Sequence, residues 1–176
     1  MSLSVKQRGT AVATHRHVMV ALMETLARWV PTSPEMEVKL LFGSHIWDVA
    51  QHADALGKRT HELRMPAQHS LPPVAEYQEL LREVDAIGDT GLRIAAFYDA
   101  LLPGVGARLR GYLELTDDLM DGPTVRIIDR ILYDHARMIR ESEELRAQFP
   151  ALRLPSERVE ALQRHESSLG LVEESA

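Results

Sequence analysis

The sequence contains no cysteine, which excludes disulfides, thiolate nucleophiles, iron–sulfur clusters and cysteine-ligated zinc. His, Asp, Glu and Tyr are left as the strong metal ligands. A basic excess is also missing. Twenty Lys and Arg stand against 26 Asp and Glu, for a formal net charge of −6, and the cations are spread along the chain rather than clustered. Attraction to nucleic acid or to an anionic lipid surface depends on accumulated Lys and Arg, so neither is an expected partner. No stretch reaches the roughly 18 apolar residues of a membrane span, and Met1 to Thr10 lacks the apolar core of a secretory signal. The expectation is a cytoplasmic protein. A serine nucleophile elbow, a glycine-rich phosphate loop and a His-Glu-x-x-His zinc helix are likewise missing.

What is present is the composition of an ordinary globular chain, 45% hydrophobic and 26% charged over 176 residues, enough for one domain with a substantial core. Every long apolar stripe has helical spacing. Val12, Val18, Leu22, Leu26 and Trp29 mark a first helix ended by Pro31, and Ser33-Pro34-Glu35 reads as an N-cap and first turn. Val38, Leu41, Phe42, Val49, Leu56 and Leu63 carry a second helix to about Arg64, before Pro66 and Pro72-Pro73. A short helix over 74–87 precedes a break at Gly88-Asp89-Thr90-Gly91. A third long helix then contains Pro103-Gly104 and Gly106, which should kink or split it. Asp121-Gly122-Pro123 signals the start of a fourth, which ends near Phe149-Pro150. The expected organisation is an all-α four-helix bundle over residues 1–150, with a long crossover between helices two and three. Residues 151–176 form a C-terminal extension, weakly helical from Ser156 and frayed from Val172.

The strongest local constellation is His45-x-x-Asp48-x-x-x-His52, whose spacings of three and four put all three side chains on the apolar face of helix two. Such histidines are either metal ligands backed by an acceptor or core residues bonded to a carboxylate. His17 and Glu24 lie two turns apart on helix one. In an antiparallel hairpin they come level with the helix-two cluster, the alternative for Glu24 being an exposed i,i+4 pair with Arg28. Helix three offers Tyr98 and Asp99, and helix four Asp134, His135, Arg137 and Met138, where Asp134 and Arg137 are spaced to pair. His61, His69 and His165 sit in polar or terminal settings and read as solvated.

Three stretches carry a family resemblance: His45-Ile46-Trp47-Asp48-Val49-Ala50-Gln51-His52-Ala53-Asp54-Ala55-Leu56-Gly57, Asp121-Gly122-Pro123-Thr124-Val125-Arg126-Ile127-Ile128, and Asp134-His135-Ala136-Arg137-Met138. With the helix plan, they resemble the small bacterial ferritin-like-domain proteins of the tRNA-hydroxylase-like kind. The resemblance implies a ferritin-like bundle, oxygen-activating oxidase or oxygenase chemistry, and iron or manganese held by one Glu from each of two helices plus Glu-x-x-His pairs from the others. This sequence departs from that set. His135 stands where such relatives have Glu and Met138 where they have His, helix two has only His45, Asp48 and His52, and no Glu occurs between Gly91 and Tyr112.

Three readings follow. The first is a divergent metal-binding protein with a mononuclear or unusual site drawn from Glu24, His45, Asp48, His52 and His135, with Tyr98 and Met138 beside the bound group. The second is a metal-free binding or assembly module that keeps the bundle. The third is a metal-independent enzyme in which His45 or His52, oriented by Asp48, is an acid/base. A small-molecule substrate or ligand is the expected partner, and a homodimer is compatible with all three.

Overall fold

A computed structural model of the chain describes residues 3–171. It is all-α, 82% helical, with no strand among the described residues. Helix α1 spans Val5–Thr32 and α2 spans Met36–Glu62; the short α3 covers Ala75–Asp85. A continuous helical run follows, made of α4 (Thr90–Ile94), a π-helical turn (Ala95–Leu101) and α5 (Leu102–Leu115). Helix α6 spans Asp118–Gln148 and α7 spans Ser156–Ser167. The acidic end at 172–176, expected to fray, lies outside the described residues, as does Met1. No helix among the described residues is long and apolar enough to cross a membrane.

Tertiary contacts run from α1 to α2, α2 to α6 and α6 to α5, with α3 against α1. One apolar core joins them, with Leu22, Leu26, Trp29, Phe42, Leu56, Phe97, Leu109 and Ile131 almost fully buried. Trp29, Phe42, Phe97 and Tyr98 form a continuous aromatic stack, with ring centroids 4.9 to 6.4 Å apart along it. The indole of Trp29 donates to the Asp85 carbonyl at 3.1 Å, tying α3 across the bundle.

Three local expectations are corrected. Ser33 does not cap α2, which starts at Met36 after Glu35; it closes α1, with its hydroxyl donating to the Trp29 carbonyl at 2.9 Å. The fourth helix starts before Asp121, at Asp118, because Asp117 accepts from the Leu119 and Met120 amides. The Asp-Gly-Pro signal survives as a kink, with Asp121 at φ −137, ψ 19 inside the helix. Pro103 does not split the third helix. It has no N–H for the Asp99 carbonyl one turn earlier, and the π turn immediately precedes it. That carbonyl instead accepts from the Gln163 side chain of α7 at 2.9 Å. Buried Glu166 anchors α7 further, accepting from the Tyr77 hydroxyl at 2.8 Å and from Arg108 at 2.6 Å. The extension is therefore docked on the bundle.

Candidate functional site

Helices α2 and α6 run antiparallel, so His45 meets Glu141, Asp48 meets Arg137 and His52 meets Asp134. The three-and-four spacing on α2 aims its cluster at α6, and the same rhythm through Asp134, Arg137, Met138 and Glu141 returns the face. His45, His52, Asp134, His135 and Met138 are buried, while Asp48, Arg137 and Glu141 are half-buried at the outer edge.

The polar groups form a chain. The Tyr98 hydroxyl lies 2.7 Å from His45 Nδ1, and His45 Nε2 lies 2.7 Å from Glu141 Oε2. With Nε2–H donating to the carboxylate, Nδ1 accepts the tyrosine proton, so both nitrogens of His45 are occupied. Arg137 binds Glu141 at 3.2 Å, Asp48 at 2.9 Å and Asp134 at 3.3 Å. Asp134 also accepts from Arg130 Nε at 2.8 Å and from His52 Nε2 at 3.0 Å. Each carboxylate of the cluster thus has an arginine or histidine partner.

Further in, the arrangement is different. The rings of His52 and His135 pack edge to face with centroids 5.7 Å apart. His52 Nδ1 and both nitrogens of His135 are buried and hydrogen-bonded to nothing among the described residues. The Leu102 backbone favours the charged form of His135, yet it provides no well-formed bond to either nitrogen. Met138 follows one turn later on α6, fully buried.

Burial lowers the imidazole pKa at all three positions. It outweighs the Glu141 partner of His45 and the Asp134 partner of His52, and with the nearby His52 it takes His135 to about 3. All three are neutral near pH 7. Asp134 shows the opposite balance: burial pushes it up, but the hydrogen bonds from His52 and Arg130 hold it below the usual carboxylate range. Tyr98 is raised well above its ordinary value by burial and stays protonated.

His45, Asp48, His52, Tyr98, His135 and Met138 therefore fall on one seam. Glu24 does not join them: it is exposed and forms the i,i+4 pair with Arg28 at 3.5 Å. His17 turns toward α3, where it lines a cleft with Arg28, Gln78 and Asp85. Helix α1 packs against both α2 and α3, and these two residues lie off the α2 side. Asp99 faces away from the seam, paired with Arg146 at 2.5 and 2.9 Å. His61 and His165 are exposed as expected, whereas His69 is half-buried. Glu141 and Arg130 are the participants that sequence reasoning missed. Their signal was the i,i+4 step from each to an already suspected residue, Arg130 to Asp134 and Arg137 to Glu141.

As ligand donors, the groups divide sharply. His45 has no free nitrogen, and Asp48, Asp134 and Glu141 are held in ion pairs. Among the described residues no three His, Asp or Glu side chains converge as a metal-binding group. The unoccupied donors are His52 Nδ1 and the two His135 nitrogens, and buried Met138 follows His135 by three residues on α6. The chain matches no protein-family model, no curated protein and no solved structure.

Proposed function

We propose that the protein is a divergent ferritin-like metal-binding protein holding a single ion at His52 and His135. The carrying observation is the set of three buried, unsatisfied ring nitrogens on two imidazoles packed edge to face. Buried polar atoms without partners are uncommon, and an ion or ordered water is a standard reason for them. Asp134 supports the reading. A histidine that donates one N–H to a carboxylate has its tautomer and ring orientation set for ligation through the other nitrogen.

The ferritin-like plan rests on two helical hairpins, α1 with α2 and α5 with α6, joined by the long connection that contains α3. The donor set fits one ion better than two. Two bridged irons or manganeses need several carboxylates, and those near the seam are committed to Arg130, Arg137 and the histidines. Imidazole with a thioether nearby suits zinc or copper rather than the iron or manganese that the family resemblance implies. A bound ion would supply Lewis acidity or one-electron chemistry there.

The test is metal analysis of protein purified without tag or chelator, followed by titration of the stripped protein with zinc, cuprous and ferrous ions. We expect one ion per chain, lost in His135→Leu and His52→Leu and retained in Glu24→Gln. Stripped protein that takes up none of the three ions would sink the reading.

A second reading, an acid/base enzyme without metal, is favoured by one specific observation: the Tyr98–His45–Glu141 relay links a buried phenol to a half-exposed carboxylate through 2.7 Å contacts. The ion titration separates the two, because this relay uses neither His135 nor an ion.

A further inference from the structure

Next to the histidine pair, an open groove of about 640 Å³ runs between α2 and α6. His52 and Asp134 lie in its lining, Ala55, Pro123, Ile127 and Ile131 provide apolar wall, and Trp47 stands at its margin with 68% of its surface exposed. The lining carries four cations, Lys58, Arg59, Arg126 and Arg130, against Asp48, Glu62 and Asp134, on a chain whose formal charge is −6. The lining thus holds one more cation than anion on a negative protein, and what matters is which cations are already paired.

The four cations are not equally committed. Arg59 is held by Glu62, Asp121 and Thr124, and Lys58 by Asp54. Arg130 gives only Nε to Asp134, leaving its terminal nitrogens available. Arg126 is exposed and forms no ion pair among the described residues. A guanidinium presents paired N–H donors that match a carboxylate or phosphate bidentately. An exposed indole offers a large flat surface to an apolar body. The volume falls within the ~300–1,000 Å³ typical of small-molecule sites. One unpaired arginine and the terminal nitrogens of a second are too few for a polyanion, whose binding grows with the number of phosphates neutralised.

We propose that this groove binds a small organic acid, a carboxylate or phosphate monoester with a planar apolar body. The acid head sits on Arg126 and the terminal nitrogens of Arg130, and the body lies against Trp47 and Ile127. Bound there, the acid lies alongside His52. This binding does not depend on whether the histidine pair holds a metal.

Calorimetric titration tests it on the full chain, both as purified and after chelator treatment, using phenyl phosphate, benzoate, inorganic phosphate and benzyl alcohol as probes. We expect one saturable site per chain for phenyl phosphate or benzoate in both preparations, the tighter of the two identifying the head group. Inorganic phosphate should bind more weakly and benzyl alcohol not at all. Arg126→Gln should weaken the acid by ~10-fold or more, the loss of one charge-assisted contact, and Trp47→Ala should weaken it as well. Both positions are exposed, so melting temperatures should stay at the wild-type value. Absence of saturation with either organic acid in the millimolar range overturns the proposal. So does an affinity unchanged by Arg126→Gln, or benzyl alcohol binding as tightly as benzoate. Inorganic phosphate binding as tightly as phenyl phosphate overturns the role given to Trp47. Failure of metal uptake with intact acid binding would remove only the metal reading, and the reverse result only this one.

Discussion

Asp134 accepts from His52 Nε2 at 3.0 Å, so the free nitrogen of that ring is Nδ1, buried alongside His135. The carboxylate itself is secured by Arg130 and Arg137. The geometry orients one imidazole firmly and leaves the second, His135, with no hydrogen bond of its own among the described residues. Such an arrangement costs stability in the metal-free protein and is the kind of strain that a bound group relieves.

His135→Leu should therefore stabilise the metal-free protein. The substitution removes two buried nitrogens that lack partners and substitutes an apolar side chain of similar bulk. The gain should be ~1–3 kcal/mol, read from urea unfolding midpoints. A loss of stability of that size would show that His135 is a satisfied core residue.

Stability should fall steadily as the pH drops below neutrality. His45, His52 and His135 are all depressed from 6.5, His135 to about 3. Above 6.5 the three rings are neutral in both folded and unfolded chains, and the stability is fully present. As the pH falls below that value, the unfolded chain takes up protons that the buried rings refuse, so the folded state loses ground until about pH 3. Asp134 and Glu141, held below their ordinary values, add to the loss below their unfolded pKa values of 3.8 and 4.5. Melting temperature measured from pH 8 to pH 4 should be flat and then decline, and the decline should be shallower in His135→Leu. A melting temperature that rises between pH 7 and pH 5 would contradict this assignment of charge.

Asp121 provides a control away from the metal reading. Fully buried at the α6 kink, it accepts from Arg59 at 2.9 Å, Tyr112 at 2.6 Å, Thr116 at 2.8 Å and Thr124 at 2.5 Å. These bonds hold its carboxyl below the ordinary range against the opposing effect of burial. Asp121→Asn should cost ~3–5 kcal/mol, because it removes the buried anion facing Arg59 and leaves that charge only the exposed Glu62. Metal stoichiometry of the folded fraction should be unchanged. A near-neutral effect on thermal unfolding would mean that Glu62 alone suffices for Arg59.

The helices and much of the seam were legible in the chain itself. Spacing alone decides that His45, Asp48 and His52 share a face, since a 3.6-residue period permits nothing else, and the stripes from Val12 to Trp29 and from Val38 to Leu56 decide which faces are buried. The pairings across elements were not legible. Whether Glu24 points at α2 or at solvent depends on how α1 is rotated between α2 and α3, a quantity set by the packing of whole faces and invisible in local spacing. The same holds for Glu141, which reaches His45 only because α6 lies antiparallel to α2 in one particular register. Backbone chemistry behaved likewise. Pro103 announced an irregularity, but the donor that reaches the Asp99 carbonyl belongs to Gln163, 60 residues further on. Local sequence determines what each helix can present, and tertiary packing decides what it meets, because register and rotation minimise the free energy of the whole core at once.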